Sequence, residues 1–346
     1  MRNRFSSAIV ATGAAEPSTV FLTGDLGYKA LEPVREALGD RFINVGVAEQ
    51  QMVSMAAGLA RSGLRPWAYS IAPFVYARPF EQIRNDVCLH HLPVRLVGNG
   101  GGYGYGVMGA THHALEDYGT LLTLGGMTVM VPAFGNDVAE AVARASAHPG
   151  PVYLRLGLAE EGDVVVPGFA PWRRVLDGQG ATLLVCGPLA GMLLRGMRDL
   201  PLAKRPRLWV VAELPFVELP EAFLDDVRAS GRLIVAEEHV AHGGVGQMVA
   251  TALLTAGVMP ASFAHRHALG YPSGRYGSQS WHRAECGLDV ASMLALIDNR
   301  GSALAPTSDH PTPSPLSLLR FALPSPTPRE KRESSRAPFT GVGDAP

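Results

Sequence analysis

Short apolar runs alternate with stretches of helical period through most of this chain. The run Val20-Phe21-Leu22-Thr23-Gly24-Asp25 predicts a buried strand that ends in a Gly-Asp loop. A short helix over 31–38 stops at Gly39, and a second strand covers 41–45. Met52, Met55, Ala56 and Leu59 then recur at i, i+3, i+4 and i+7, the spacing of one helix face, so 50–61 is a helix closed by Gly63. Further strands are predicted at 65–71, 94–97, 128–131 and 151–156, with helices at 80–87 and 136–147. Pro79 suits the first of these helix starts.

The alternation resumes after 180: strands at 181–187, 207–212, 232–236 and about 265–269, with helices at 189–200, 220–229, 244–257 and 290–298. Alternating strands and helices predict α/β architecture with mostly parallel sheets covered on both faces. The predicted organisation is a flexible arm at 1–17, one α/β domain at 18–158, a linker at 159–180, a second α/β domain at 181–300 and a disordered tail at 301–346. The tail is rich in Pro, Ser, Thr and charges, which cannot bury a core. Ligands of parallel sheets sit at the carboxyl ends of strands. The loops at 23–27, 44–49, 70–80 and 99–117 are therefore the candidate site loops.

Composition narrows the function classes. The 346 residues are 47% hydrophobic and carry a net charge of −1, which offers no argument for nucleic acid or an anionic membrane surface. The three Cys are far apart, and the eleven His do not pair with Cys at metal-ligand spacing. No apolar run is long enough to span a membrane and no convincing signal peptide begins the chain, so the expected location is the cytoplasm.

The candidate chemistry is concentrated in four stretches. Glu49 falls at the first turn of the 50–61 helix, among Val45, Val47, Ala48 and Met52. It reads either as a charge favoured by the helix dipole or as a functional acid tuned by burial. Gly98-Asn-Gly-Gly-Gly-Tyr-Gly-Tyr-Gly-Val-Met-Gly109 fits neither the dinucleotide fingerprint nor the P-loop. It is either a flexible surface loop or one whose backbone approaches a ligand closely. Thr111-His112-His113 follows; adjacent His point different ways, so one can reach a substrate while the other packs. Ser70-Ile-Ala-Pro-Phe-Val-Tyr-Ala-Arg-Pro-Phe80 clusters aromatics that can form core or stack on a planar ring.

Taken in order, these residues resemble a known family. Thr-Gly-Asp-Leu-Gly (23–27), Asn-Val-Gly-Val-Ala-Glu-Gln (44–50), Tyr-Ser-Ile-Ala-Pro-Phe (69–74), Glu-Gln-Ile-Arg-Asn-Asp (81–86) and Gly-Ala-Thr-His-His-Ala-Leu-Glu-Asp (109–117) resemble the pyrimidine-binding domain of transketolases. The later stretch Val235-Ala-Glu-Glu-His239, followed by Gly243-Gly244, resembles the transketolase C-terminal domain. The resemblance covers about 20–300 and implies thiamine diphosphate chemistry. It implies that Glu49 hydrogen-bonds a ring nitrogen of the cofactor's aminopyrimidine and so drives deprotonation of the thiazolium carbon. To give that bond the carboxyl must keep its proton in a dry pocket. By the same resemblance Phe74 stacks on the pyrimidine, Ile71 and Tyr76 are wall residues, and Asp25 lies near the cofactor across a subunit interface. His112 contacts the donor substrate near its reacting group, with His113 beside it, and Arg155 grips a sugar phosphate or, alternatively, forms a strand-end salt bridge.

Two departures qualify the match. A full-length transketolase carries a diphosphate-binding domain with Gly-Asp-Gly, a triplet that occurs nowhere in this sequence. The resemblance therefore implies the C-terminal subunit of a split enzyme. A separate N-terminal subunit would hold the diphosphate and Mg²⁺, the active site would form between chains, and an α₂β₂ assembly would act on a sugar or sugar phosphate. The family also has a His at the place of Gly100 and an Asp at that of Met108, both contacting donor sugars; their loss questions the ordinary pentose-phosphate substrates. The expected activity is transfer of a two-carbon ketol unit from a ketose to an aldose. The alternatives are a deoxyxylulose-phosphate-synthase-like or 2-oxoacid-dehydrogenase-like subunit, or a non-catalytic homologue.

Overall fold

The computed structural model describes residues 1–27, 30–159 and 165–298; the expected tail at 301–346 lies outside them. The chain opens with a helix, α1 (Arg2–Ala15), where a flexible arm was expected. The error has a physical origin. Phe5 and Ile9, one helical turn apart, are fully buried, while the polar positions around them hide the stripe in a window average. Phe5 stacks on Tyr69 at 5.6 Å and meets Phe21 and Trp67 at 6.3 and 6.1 Å.

The first half then runs β1 (Thr19–Thr23), α2 (Glu32–Leu38), β2 (Phe42–Asn44), α3 (Glu49–Arg61), β3 (Arg65–Ile71), α4 (Ala72–Tyr76), α5 (Phe80–Gln82), β4 (Arg95–Asn99), α6 (Asp117–Leu121), β5 (Thr128–Met130), α7 (Asp137–Ala147) and β6 (Val152–Leu156). The second half contributes β7 (Trp172–Leu176), β8 (Thr182–Cys186), α8 (Leu189–Met197), β9 (Arg207–Val211), β10 (Glu213–Leu214), α9 (Glu221–Ser230), β11 (Arg232–Glu237), α10 (Val245–Thr255), β12 (Ser262–Arg266), α11 (Gln279–Glu285) and α12 (Val290–Asp298). The expected helix at 80–87 is the short α5 followed by a wider π-type turn, Ile83–Cys88.

The strands form a seven-stranded sheet in the order β10-β5-β6-β4-β3-β1-β2 and a five-stranded sheet in the order β12-β11-β8-β9-β7. Pairing is parallel except at one edge of each sheet, where β10 runs antiparallel to β5 and β7 antiparallel to β9. The mostly parallel α/β architecture is as expected. The linker is not: part of 159–180 is β7, an edge strand that pairs Trp172 with Val211. Its sequence, Trp-Arg-Arg-Val-Leu, places two adjacent charges inside the strand, which suits an edge and reads poorly as a buried strand. The second half also lends β10 to the first sheet, and Trp209, Phe223 and Val245 share one apolar cluster with Leu22, Met52 and Leu96. Thr23, Asn44, Ile71, Asn99 and Leu156 end neighbouring strands of the first sheet on the same side, so the loops that follow them crowd one edge.

Candidate active site

The loop after β1 and the loop after β2 are tied together by Asn44. Its Oδ1 accepts from the backbone N–H of Asp25 at 2.9 Å and of Gly46 at 3.0 Å, and its Nδ2 donates to Asp25 Oδ1 at 3.1 Å. Asp25 adopts a left-handed backbone, φ 49°, a conformation that Asp tolerates better than most side chains. The Asp25 side chain is exposed beside a cavity of about 220 Å³ lined by Thr23, Leu26, Phe42 and Asn44.

Glu49 is the first residue of α3, and it is only 2% exposed. The β1 loop closes over it: a Cβ on Gly24 would lie 3.6 Å from Glu49 Oε1 and 3.2 Å from the Gly46 carbonyl. The partner of this buried carboxylate is Arg78, whose Nη1 donates to Oε2 at 3.0 Å. The same guanidinium lies over the Phe74 ring, 3.8 Å from its centroid. Ile71 ends β3 and turns the chain into α4, which carries Phe74 and Tyr76. Tyr76 is buried, and its hydroxyl donates a long 3.4 Å bond to Glu116 Oε2. Burial and the nearby acidic groups raise the Tyr76 pKa, so its phenol stays protonated.

His112 stands edge-on to Phe74, with ring centroids 5.3 Å apart. It is partly exposed, and its Nδ1 lies 2.9 Å from Thr111 Oγ1, which leaves Nε2 available. Glu49, Phe74 and His112, distant in sequence, are thus linked in space, the buried carboxylate to the ring through Arg78 and the ring to the imidazole edge-on.

Two other expected site residues are placed differently. His113 is buried with both ring nitrogens engaged, Nε2 at 2.8 Å from the Gly106 carbonyl and Nδ1 at 2.9 Å from Tyr271 Oη. Burial pushes its pKa down to about 4, so the ring is neutral at ordinary pH. Around it pack Tyr103, Tyr271, Tyr276 and His282, so this His anchors the glycine loop to the 270–286 segment and does not face a substrate. Arg155 is also buried. Its Nε donates to Asp117 Oδ2 at 2.7 Å, and its Nη2 to the carbonyls of Ala114 and Glu238 at 2.8 and 3.0 Å. The phosphate-gripping role is therefore replaced by an internal ion pair. The backbone at Gly101 packs so close to this side chain that a Cβ there would overlap Arg155 Nε.

The glycine loop is ordered by close packing. Gly100 has φ +77°, and the space its side chain would need is filled by the Tyr105 ring, held by a 2.8 Å bond from Asn99 Nδ2. Met108 is 53% exposed on the same loop. The sequence reading missed Arg78, Asn44 and the Glu238 cluster. Arg78 lay within the aromatic loop already singled out; a charge among aromatics at a strand end was the available signal. Glu238 lies in the Val235–His239 stretch that carries the resemblance, but its partners Gln279 and Arg283 are about forty positions away and only the fold brings them to it.

At the carboxyl edge of the parallel sheet of this α/β domain, a buried carboxylate that opens a helix and an aromatic ring are bridged by one guanidinium. Residues 1–159 match the family model for the transketolase pyrimidine binding domain. One subunit of the apulose-4-phosphate transketolase of Phocaeicola vulgatus is 31% identical over 266 residues, 73% of this chain and 83% of that protein. A 1-deoxy-D-xylulose-5-phosphate synthase 1 of Geobacter sulfurreducens is 32% identical over 306 residues, 85% of this chain but 45% of the synthase. A solved split gene transketolase, described as an inactive beta4 tetramer, superposes with a TM-score of 0.72 at 28% identity, covering 86% of this chain and 96% of that one. The chain belongs to the transketolase family. Within that thiamine-diphosphate-dependent family it is a transferase subunit of the split kind, matching such subunits along most of their length.

Proposed function

We propose that this chain holds the pyrimidine ring of thiamine diphosphate for a two-chain transketolase that moves a two-carbon ketol unit from a ketose or ketose phosphate to an aldose. The observation that carries the proposal is the juxtaposition of Glu49 and Phe74, with a planar cation already lying between carboxylate and ring face. A seat that holds a flat guanidinium between a carboxyl group and a ring face has the shape to accept a planar aminopyrimidine, with the hydrogen bond at the carboxyl reversed, so the residues present fit the group.

When bound, thiamine diphosphate supplies a nucleophilic carbon and an electron sink. Glu49 holds a ring nitrogen by a hydrogen bond, Phe74 stacks on the ring, and Ile71 and Tyr76 close the pocket behind it. Asp25, exposed on the β1 loop, faces the cofactor of an adjoining subunit. His112 meets the donor substrate and holds or passes a proton at its reacting hydroxyl or carbonyl oxygen. His113 and Arg155 support this arrangement from within the protein. Gly100 and Met108 leave the donor end without the side chains expected of a pentose-phosphate enzyme, and Tyr105 occupies part of that space, which favours a different sugar.

The diphosphate and Mg²⁺ fall to a separate N-terminal subunit in an α₂β₂ assembly. Support comes from the match to one subunit of the Phocaeicola transketolase along most of its length. No helix among the described residues is long and apolar enough to cross a membrane, and the assembly would work in the cytoplasm. The likeness to the Geobacter synthase over 85% of this chain supports a second reading, a condensation that decarboxylates a 2-oxoacid and joins the remainder to an aldose phosphate.

Calorimetry of thiamine diphosphate with Mg²⁺ tests the proposal, first with this chain alone and then mixed with a candidate diphosphate-binding subunit. Binding in the mixture alone is expected, together with a loss of turnover of about a hundredfold or more in Glu49→Gln while the chains still assemble. Full activity of Glu49→Gln would overturn the role of that residue. Turnover of ketose phosphates against turnover of a 2-oxoacid separates the two reactions.

A further inference from the structure

The proposed ring seat contains a residue that competes for it. Arg78 satisfies both elements of the seat at once: its Nη1 donates to Glu49 Oε2 at 3.0 Å, and its guanidinium carbon lies over the Phe74 ring, 3.8 Å from the centroid. A guanidinium is flat, delocalised and stacks on aromatic faces, so it can occupy the slot a planar heteroaromatic ring would take. The seat cannot serve both. Glu49 must accept a hydrogen bond from Arg78 but give one to a ring nitrogen, and the open face of Phe74 has room for one planar partner.

Arg78 is also able to leave. Its side chain is 42% exposed, while that of Glu49 is 3% exposed. It follows α4 directly, just before Pro79 and α5, and its guanidinium makes no other hydrogen bond among the described residues. Among the described residues no other arginine or lysine forms an ion pair with Glu49. A buried carboxylate without a partner is costly, so a movable cation that covers it until a ligand arrives stabilises the free chain.

We propose that Arg78 is a built-in stand-in for the cofactor ring: it keeps the Glu49–Phe74 seat closed and partnered in the free chain and must swing out for thiamine diphosphate to enter. This rests on the reading of Glu49 and Phe74 as the ring seat. Apparent affinity for the cofactor is then reduced by the fraction of molecules in which Arg78 has left.

The test is the cofactor dissociation constant, by calorimetry, in the assembled two-chain enzyme with Mg²⁺, for wild type, Arg78→Met and Arg78→Gln. Both variants are expected to bind thiamine diphosphate about tenfold more tightly, equivalent to about 1.4 kcal/mol. Arg78→Gln carries the comparison where the methionine variant does not fold. Wild-type or weaker affinity in a variant that folds and assembles normally would overturn the stand-in role and leave the ring seat intact. Failure of the wild-type mixture to bind the cofactor at all would overturn the ring seat itself, and this inference with it.

Discussion

Nε of Arg155 donates to Oδ2 of Asp117 across 2.7 Å, and both side chains are buried. Tyr153 Oη donates to the same carboxylate oxygen at 2.8 Å. Burial works against the charge of Arg155, but Asp117 together with Tyr118 and Tyr153 outweighs it and raises the pKa above the ordinary value. The pair joins β6 to the start of α6, and through the Glu238 carbonyl to the end of β11, so it ties the two sheets together behind the glycine loop.

Removing one partner of this pair leaves the other charged and unpaired in the interior. Arg155→Met is expected to lower stability by about 3–5 kcal/mol, the usual result of breaking a buried ion pair from one side. Urea denaturation checks it. A residue that merely gripped substrate would raise KM and leave the denaturation midpoint alone.

The first helix is part of the core. Phe5→Ala deletes a fully buried ring that packs on Phe21, Trp67 and Tyr69, and should cost about 3–5 kcal/mol. The same denaturation experiment decides, with limited proteolysis as a second readout. A loose N-terminal arm would show no loss of stability and early cleavage in wild type.

His112 and Phe74 touch edge to face, but their assigned tasks differ and can be separated. His112→Asn should lower kcat about a hundredfold, the lower range for loss of a general acid or base, with the cofactor dissociation constant unchanged. Phe74→Ala should weaken cofactor binding measurably, because it removes the stacking face. Calorimetry and steady-state kinetics on the two variants give the split.

His113 should make stability sensitive to acid. Its folded-state pKa is pushed down to about 4 by burial, from an ordinary value of 6.5. Between those values the unfolded chain binds the extra proton and the folded chain does not. Stability is therefore fully present above about pH 6.5 and falls as pH drops through the window toward 4. Burial lowers the pKa of His239 and His282 in the same direction, so the fall is shared. Denaturant midpoints at pH 7 and pH 5 are expected to differ less in His113→Asn than in wild type.

The strands and helices of both halves were legible because their signal is local. Apolar runs such as 20–25 and 65–71, and the helical recurrence of Met52, Met55, Ala56 and Leu59, announce elements without reference to the rest of the chain. The elements missed were those whose reason is distant. α1 depends on a pocket made by Phe21, Trp67 and Tyr69, and β7 on the free edge of β9. β10 is two residues long and exists only as the partner of β5.

The candidate site divides in the same way. Glu49 and the aromatic loop around Phe74 stood out as short segments, while Phe74, His112 and Asp25 became individual candidates only through the family resemblance. Sequence also yielded His113 and Arg155 as candidates, but whether a His or an Arg faces solvent depends on what closes over it. Here that is supplied by Tyr271, about 160 positions from His113, and by the Glu238 carbonyl, some eighty positions from Arg155. The pairing of Arg78 with both Glu49 and Phe74 is equally a tertiary fact: chain order places the three within thirty residues, but only the packing of α3 against the end of β3 turns a carboxylate, a cation and a ring face toward one point.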